Sequence, residues 1–206
     1  GMWQFMKNSI APFNIRINSW MDERKDPWLT TKAAIKKLKE NYDYLGSWEL
    51  ALAAYNCGLG AMTRTIKKAG SSDFWYLAEK GFLKTETKNY VPKFLAISHI
   101  LDNKDFYGLE FPEPNEETDN CTNFEEISVK RSIDLGILAE KSDIEKELLT
   151  FYNPSLYYNV TPPDTTYKLR IPKEKKQEVQ TLLASSNLPL IKYHVYTVKS
   201  GDSLYA

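Results

Sequence analysis

The chain has 206 residues, 42% hydrophobic and 26% charged, an ordinary composition for a globular protein with room for one or two domains. Its 27 basic and 27 acidic residues cancel, which removes electrostatic support for nucleic-acid binding. No run approaches the length of a membrane-spanning helix, and no N-terminal signal pattern is present.

The chain opens on Gly1 in a dense apolar stretch and stops in mid-pattern at Leu204-Tyr205-Ala206. It reads as a fragment, so the missing signal says nothing about compartment. Cys57 and Cys121 fall in no close motif and read as independent residues, with Cys57 filling space in a helix. His99 and His194 are isolated and make no ligand set, so no metal site is expected.

In chain order, GMWQFM (residues 1–6) reads as buried, and helical or tightly turned. Asp22, Glu23, Arg24 and Asp26 surround a turn, where an arginine paired with a neighbouring acid is the expected role. Asp26-Pro27 signals a turn or a helix start, and Thr30 or Thr31 is placed to cap a helix from about Lys32 to Leu45. Ile35, Leu38, Tyr42 and Leu45 share one face of that helix, and Gly46 stops it. Ser47 caps a second helix, with Glu49 in its first turn. Trp48, Leu52 and Tyr55 repeat along it, and Ala51, Ala53 and Ala54 let another helix approach. Residues 56–60 read as a break. A short helix with Met62, Ile66 and Ala69 on one face then runs to Gly70, and a capped start follows at Ser71. The last helix of this set spans Thr85 to Leu101, with Phe94, Ile97 and Leu101 on one face. Pro92 is expected in its first turn or at a kink.

From Glu113 to Glu126 the chain is acidic, with no basic residue, and reads as a linker. A strand at Ile127 and Val129 follows, then helical turns at 135–139 and a helix at 144–152 stopped by Asn153-Pro154. Pro162-Pro163 turns the chain, and Tyr167, Leu169 and Ile171 alternate as a strand ending at Pro172. Together they make a βααβ unit. Lys173 to Ser186 reads as a charged helical connector. Val198, Lys199 and Leu204 repeat Val129, Lys130 and Leu135 at a constant offset of 69.

GMWQFM, DERKDP, LALAAYNCGLG, FWYL and ETKNYVPK stand here in the order found in lytic transglycosylases of the membrane-bound D type. The chain resembles that family from Gly1 to about Tyr107. YTVKSGDSLYA resembles the opening of a LysM module with its Gly201-Asp202 pair. Residues 124–172 resemble a degenerate copy, with Ser132-Ile133 in place of that pair. Lys7 replaces a family proline and Cys57 a family alanine.

The resemblance implies an α+β chain: a mainly α-helical, goose-type lysozyme-like domain over 1–110, then an acidic linker over 111–123. A βααβ LysM-like module over 124–173, a connector over 174–193 and the start of a second LysM over 194–206 follow. It implies cleavage of the bond between N-acetylmuramic acid and N-acetylglucosamine. The muramic C6 hydroxyl attacks its own anomeric carbon and leaves a 1,6-anhydro end. Such a reaction needs one general acid, not the carboxylate pair of ordinary glycosidases.

The family's acid is a glutamate followed by serine, upstream of the G-x-W-Q-F-M motif. It is therefore expected before Gly1, and no glutamate in this chain replaces it. Gln4, Phe5, Met6, Tyr55, Asn56, Glu86 and Tyr90 take the family's substrate-binding positions, and Gly201 and Asp202 those of LysM peptidoglycan binding. No cofactor is implied. The partners implied are peptidoglycan glycan strands and not nucleic acid, with the protein a monomer in the periplasmic cell envelope and a lipid anchor upstream left open.

The residues alone leave alternatives. Trp3, Phe5 and Met6 also suit plain packing, Asn56 also suits a helix cap, and Glu86 with Tyr90 also suits a surface acid beside a packing ring. A non-catalytic wall-binding protein and a hydrolytic lysozyme remain rival readings of the whole.

Overall fold

Pro27 opens the first helix, where its missing N–H falls among donors that have no intrahelical partner. The structure, a computed structural model, describes residues 1–111, 121–185, 190–191 and 196–203. Most of the acidic linker, together with His194 and Leu204, lies outside the described residues. The chain divides into two compact units, Trp28–Glu113 and Gly1–Pro27 joined with Pro114–Ala206. Among the described residues no helix is long and apolar enough to cross a membrane.

In the first unit, α1 (Pro27–Leu45) begins before the expected caps, so Thr30 and Thr31 lie inside it. Leu38 and Leu45 of the expected face pack against the core, while Ile35 is 60% exposed. The most buried positions of the helix are Thr30, Ala33, Ala34 and Asn41. Two alanines and two polar residues thus lie deeper than the large apolar side chains that periodicity picks out. The Asn41 Nδ2 donates to the Ala51 carbonyl at 3.2 Å, which satisfies a buried amide.

Ser47 caps α2 (Trp48–Cys57), its hydroxyl accepting from the Leu50 N–H. The break after α2 is one residue, Gly58 at φ +89°, rather than the five expected. Asn56 and Cys57 stay helical, and α3 (Leu59–Ala69) starts at once and ends at Gly70. Asp73 caps α4 (Phe74–Glu79) through the N–H groups of Trp75 and Tyr76. In α5 (Thr85–Asp102) Pro92 sits inside the helix, beyond the first turn, and Phe94, Ile97 and Leu101 are exposed. The core of this unit holds Leu50, Leu52, Ala53, Met62, Phe74, Leu77 and Val91. The alanine run of α2 brings α3 and α5 against it, as its small side chains suggest.

The second unit is built on β1 (Phe124–Val129) and β2 (Tyr167–Pro172), antiparallel from Phe124↔Pro172 to Val129↔Tyr167. Between them lie α6 (Leu135–Ser142) and α7 (Lys146–Tyr152), giving the expected βααβ order. Asp134 caps α6 through the Gly136 and Ile137 N–H groups. The segment read as a connector forms α8 (Lys176–Ala184), and its Val179 is fully buried in the same core as Leu138, Leu149, Leu169 and Ile171.

Met21 joins that core at zero exposure, so residues 15–26 pack with the βααβ unit. Arg24 pairs with Asp22 at 2.7 Å, the neighbouring-acid pairing expected. The guanidinium holds the Asp22 carboxyl below its usual range. GMWQFM departs from its expected burial. Phe5 alone is buried, Met2 and Met6 are 70% and 68% exposed, and Gln4 is exposed. Gln4 adopts φ +52°, and its Nε2 donates back to the Gly1 carbonyl at 2.7 Å, so the stretch is a tight turn closed on itself.

Asn153 does more than stop α7. Its buried Nδ2 donates to the carbonyls of Leu149 (2.9 Å) and Arg170 (2.8 Å). Its Oδ1 accepts from the Arg170 N–H (3.0 Å) and the Tyr167 hydroxyl (3.2 Å). One amide thus joins the end of α7 to β2. Asn153→Ala should destabilise the chain by about 3 kcal/mol or more, because several buried groups lose partners. Asn153→Asp should fail similarly, because a carboxylate cannot donate to the two carbonyls. Denaturant unfolding of both variants checks this.

Candidate functional site

The end of α2 and the first turn of α5 meet at a polar cluster. Residues 56 and 87 face each other because α2 stays helical through Cys57 and α5 starts at Thr85. The Asn56 Nδ2 donates to Glu86 Oε1 at 3.0 Å, and the buried Thr87 hydroxyl donates to Asn56 Oδ1 at 2.8 Å. A carboxylate only accepts, so the amide nitrogen must face Glu86 and the oxygen must face Thr87. The pair of contacts therefore fixes the amide's orientation.

A cavity of about 360 Å³ opens beside this cluster, lined by Asn56, Cys57, Phe82, Lys84, Glu86 and Thr87 among others. That lies at the small end of the ~300–1,000 Å³ typical of ligand pockets. Burial pushes the Cys57 thiol up, which keeps it protonated and unreactive.

Tyr55 and Tyr90 do not line that cavity, but Tyr90 acts on the Tyr55 hydroxyl. Burial first, and then Tyr90, pushes the Tyr55 hydroxyl up to about 12. Burial also raises Tyr90. Lys37 lies over the Tyr55 ring, 4.8 Å from its centroid, and burial lowers its own pKa. Both tyrosines are therefore neutral hydroxyl donors at physiological pH.

The structure thus brings Asn56 and Glu86 into one hydrogen-bonded cluster and sets Tyr55 near Tyr90. Gln4, Phe5 and Met6 belong to the other unit. Gly201 lies at φ +100°, and the Asp202 carboxylate accepts from the Tyr196 hydroxyl and the Lys199 N–H. Of the second LysM expected over 194–206, residues 194, 195 and 204–206 lie outside the described residues. Thr87 escapes a reading for function because its hydroxyl matters only through Asn56, 31 positions away. Its place beside Glu86 in ETKNYVPK is the one local hint.

Comparison with known proteins gives this geometry a setting. Residues 1–78 match the transglycosylase SLT domain, and residues 123–188 match the LysM-like domain of lytic transglycosylase MltD. The chain is thus similar to the lytic transglycosylases of the membrane-bound D type, as its motifs suggest, with a match to an SLT domain followed by a match to a LysM-like domain. It is 29% identical over 221 aligned residues to membrane-bound lytic murein transglycosylase D of Escherichia coli strain K12, and equally to that of E. coli O6:H1 strain CFT073. The match covers 99% of this chain and 47% of each relative, so the chain spans about half the length of the curated relatives it matches.

Thr87→Val should cost about 1 kcal/mol of stability and free the Asn56 amide to turn over, whereas Thr87→Ser should retain both. Thermal unfolding and side-chain amide NMR of Asn56 read the two effects. Tyr55 yields a prediction at alkaline pH. Its folded pKa stands above the usual value of about 10, so the unfolded chain loses this proton first. Stability should therefore fall as pH rises from about 10 towards 12. Tyr55→Phe should flatten part of that fall in denaturant titrations and remove one late-titrating phenol from the ultraviolet absorbance curve.

Proposed function

We propose that the protein carrying this chain is a peptidoglycan lytic transglycosylase. It cleaves the β-1,4 bond between N-acetylmuramic acid and N-acetylglucosamine and leaves a 1,6-anhydro end, in cell-wall remodelling or turnover. The observation that carries this reading is the Asn56–Glu86–Thr87 cluster beside a cleft, in a chain that matches the SLT domain.

In the reaction a general acid protonates the glycosidic oxygen. The muramic C6 oxygen bonds to the anomeric carbon as the bond to the leaving sugar breaks, and the C6 hydroxyl proton returns to the acid. The intramolecular attack makes water unnecessary. The acid in this reading is a glutamate on the relatives' additional length, N-terminal to Gly1. The residues of this chain hold the glycan. Asn56, with its amide held by Glu86 and Thr87, reads an acetamido group. Tyr55 and Tyr90 donate from neutral hydroxyls beside a ring that can face a sugar. Gln4, Phe5 and Met6 form a further contact, and Gly201 with Asp202 belongs to a wall-binding LysM module. Action on peptidoglycan strands places the protein in the periplasmic envelope, as a monomer without a cofactor, and the relatives' membrane-bound character suits a lipid anchor.

Digestion of purified sacculi by the intact protein should release 1,6-anhydro ends, each lighter by one water than a hydrolysis product in mass spectrometry. Reducing ends in their place would make the protein a hydrolase and overturn this reading. Asn56→Ala in the intact protein should lower kcat/KM by roughly tenfold or more, about 1.4 kcal/mol of transition-state stabilisation. The 206-residue chain alone should release nothing. Turnover by it would show that the acid lies within Gly1–Ala206.

A further inference from the structure

We propose that the LysM-like module is built to hold the chain's own residues 15–26, and that this segment, not a glycan strand, is the ligand of its α7–β2 loop. The contacts are those of an added strand, with backbone hydrogen bonds for strength and side chains for specificity. Met21 forms an antiparallel bridge with Leu156. On either side, the Asp22 N–H donates to the Ser155 carbonyl and the Tyr157 N–H donates to the Trp20 carbonyl, both at 2.9 Å. The Met21 side chain fills the module's core at zero exposure. An Arg16 guanidinium nitrogen donates to the Thr166 carbonyl at 2.8 Å. Arg170 of β2 reaches Asp26 at 2.6 Å, with both side chains 9% exposed. Lys25 lies over the Tyr157 ring, 4.6 Å from its centroid.

The opposite edge of the same loop is closed as well. Thr161 is fully buried, and its N–H donates to the Ile133 carbonyl while its hydroxyl accepts the Ile133 N–H and donates to the Arg131 carbonyl. The Leu135 N–H donates to the Asn159 carbonyl at 2.9 Å. The β1–α6 loop and the α7–β2 loop thus use these polar groups on each other and on residues 16–26. A sugar would have to displace those bonds before making its own, at a cost comparable to what it gains. The segment held in this way lies inside the SLT-matching stretch, so part of that match shares a compact unit with the LysM-like module.

Amide exchange of the full chain, read residue by residue by NMR, tests this. In the unmodified chain the Asp22 and Tyr157 amides should exchange within about tenfold of the slow β1–β2 ladder amides, as members of one cooperative unit. An N-acetylglucosamine hexamer should leave protection over residues 153–166 unchanged. Arg170→Met should speed exchange at Asp22 and Tyr157 by at least about tenfold and leave the Val91 amide of the other unit unaffected. Arg16→Ala, which removes the Thr166 bond and the Glu23 pair on a partly exposed side chain, should speed the same two amides to a smaller degree. Two results would overturn the proposal: residues 15–26 exchanging like an unstructured peptide while the ladder stays protected, or the hexamer protecting residues 153–166. The readout is amide protection and not wall cleavage, so it stands or falls apart from the proposed reaction.

Discussion

A guanidinium taken out of water must find acceptors for its donors, or its burial costs several kcal/mol. Arg170 finds Asp26 at 2.6 Å, Glu126 at 3.2 Å and the Tyr152 carbonyl, and its plane lies over the Phe124 ring. These partners come from the N-terminal segment, β1 and α7, so one side chain of β2 ties three other parts of its unit together. Its own backbone N–H and carbonyl are held by Asn153, whose amide also reaches α7 and Tyr167. Removing one partner of such a pair typically costs ~3–5 kcal/mol, since a buried charge is left behind. The apolar core of Leu138, Leu149, Leu169 and Ile171 supplies bulk stability, but it does not dictate that residues 15–26 belong there. The Arg170 contacts and the Met21 side chain do.

The other unit uses polar groups differently. There the core is apolar and alanine-rich, and hydrogen bonding concentrates at helix ends: Ser47, Asp73, and the Asn56–Thr87–Glu86 cluster. A helix terminus leaves its last polar groups unpaired by the helix itself, and such places suit ligand recognition because their bonding capacity is not exhausted. Asn56 is two residues from the single-residue break at Gly58, so its amide sits at the rim of the packed core and not inside it. The hydrogen bonds to Glu86 and Thr87 give that amide a fixed orientation.

Much of this was legible in the sequence where cause and effect are close together. Pro27 as a helix start, Ser47 as a cap, Gly70 as a stop and the alternation of Tyr167, Leu169 and Ile171 are all local physics. The Asp22–Arg24 pair was readable because its members are two residues apart. Ile35 misled because apolar spacing assumes that the largest side chains mark the buried face, and in α1 alanines mark it. Asn153 read as a helix stop, Asp26 as part of a turn and Thr87 as nothing in particular. Each acts through a partner 17, 144 or 31 positions away, and no periodicity records such a distance. Tyr55, Asn56, Glu86 and Tyr90 stand out only through the motifs that carry the resemblance. Their spacing alone also suited a cap and a surface pair.

The 144-residue span between Asp26 and Arg170 also orders events during synthesis. Residues 15–26 are made first, yet their seat is made last, after all of Trp28–Glu113. That intervening unit packs through neighbouring helices and can complete its core as it emerges, while closing the long loop is entropically and kinetically slow. Until β2 arrives, Met21 stays exposed to water and to other chains, the condition under which nascent proteins aggregate or recruit chaperones. The contact that makes this unit one body in the finished molecule is thus its weakest moment on the way there.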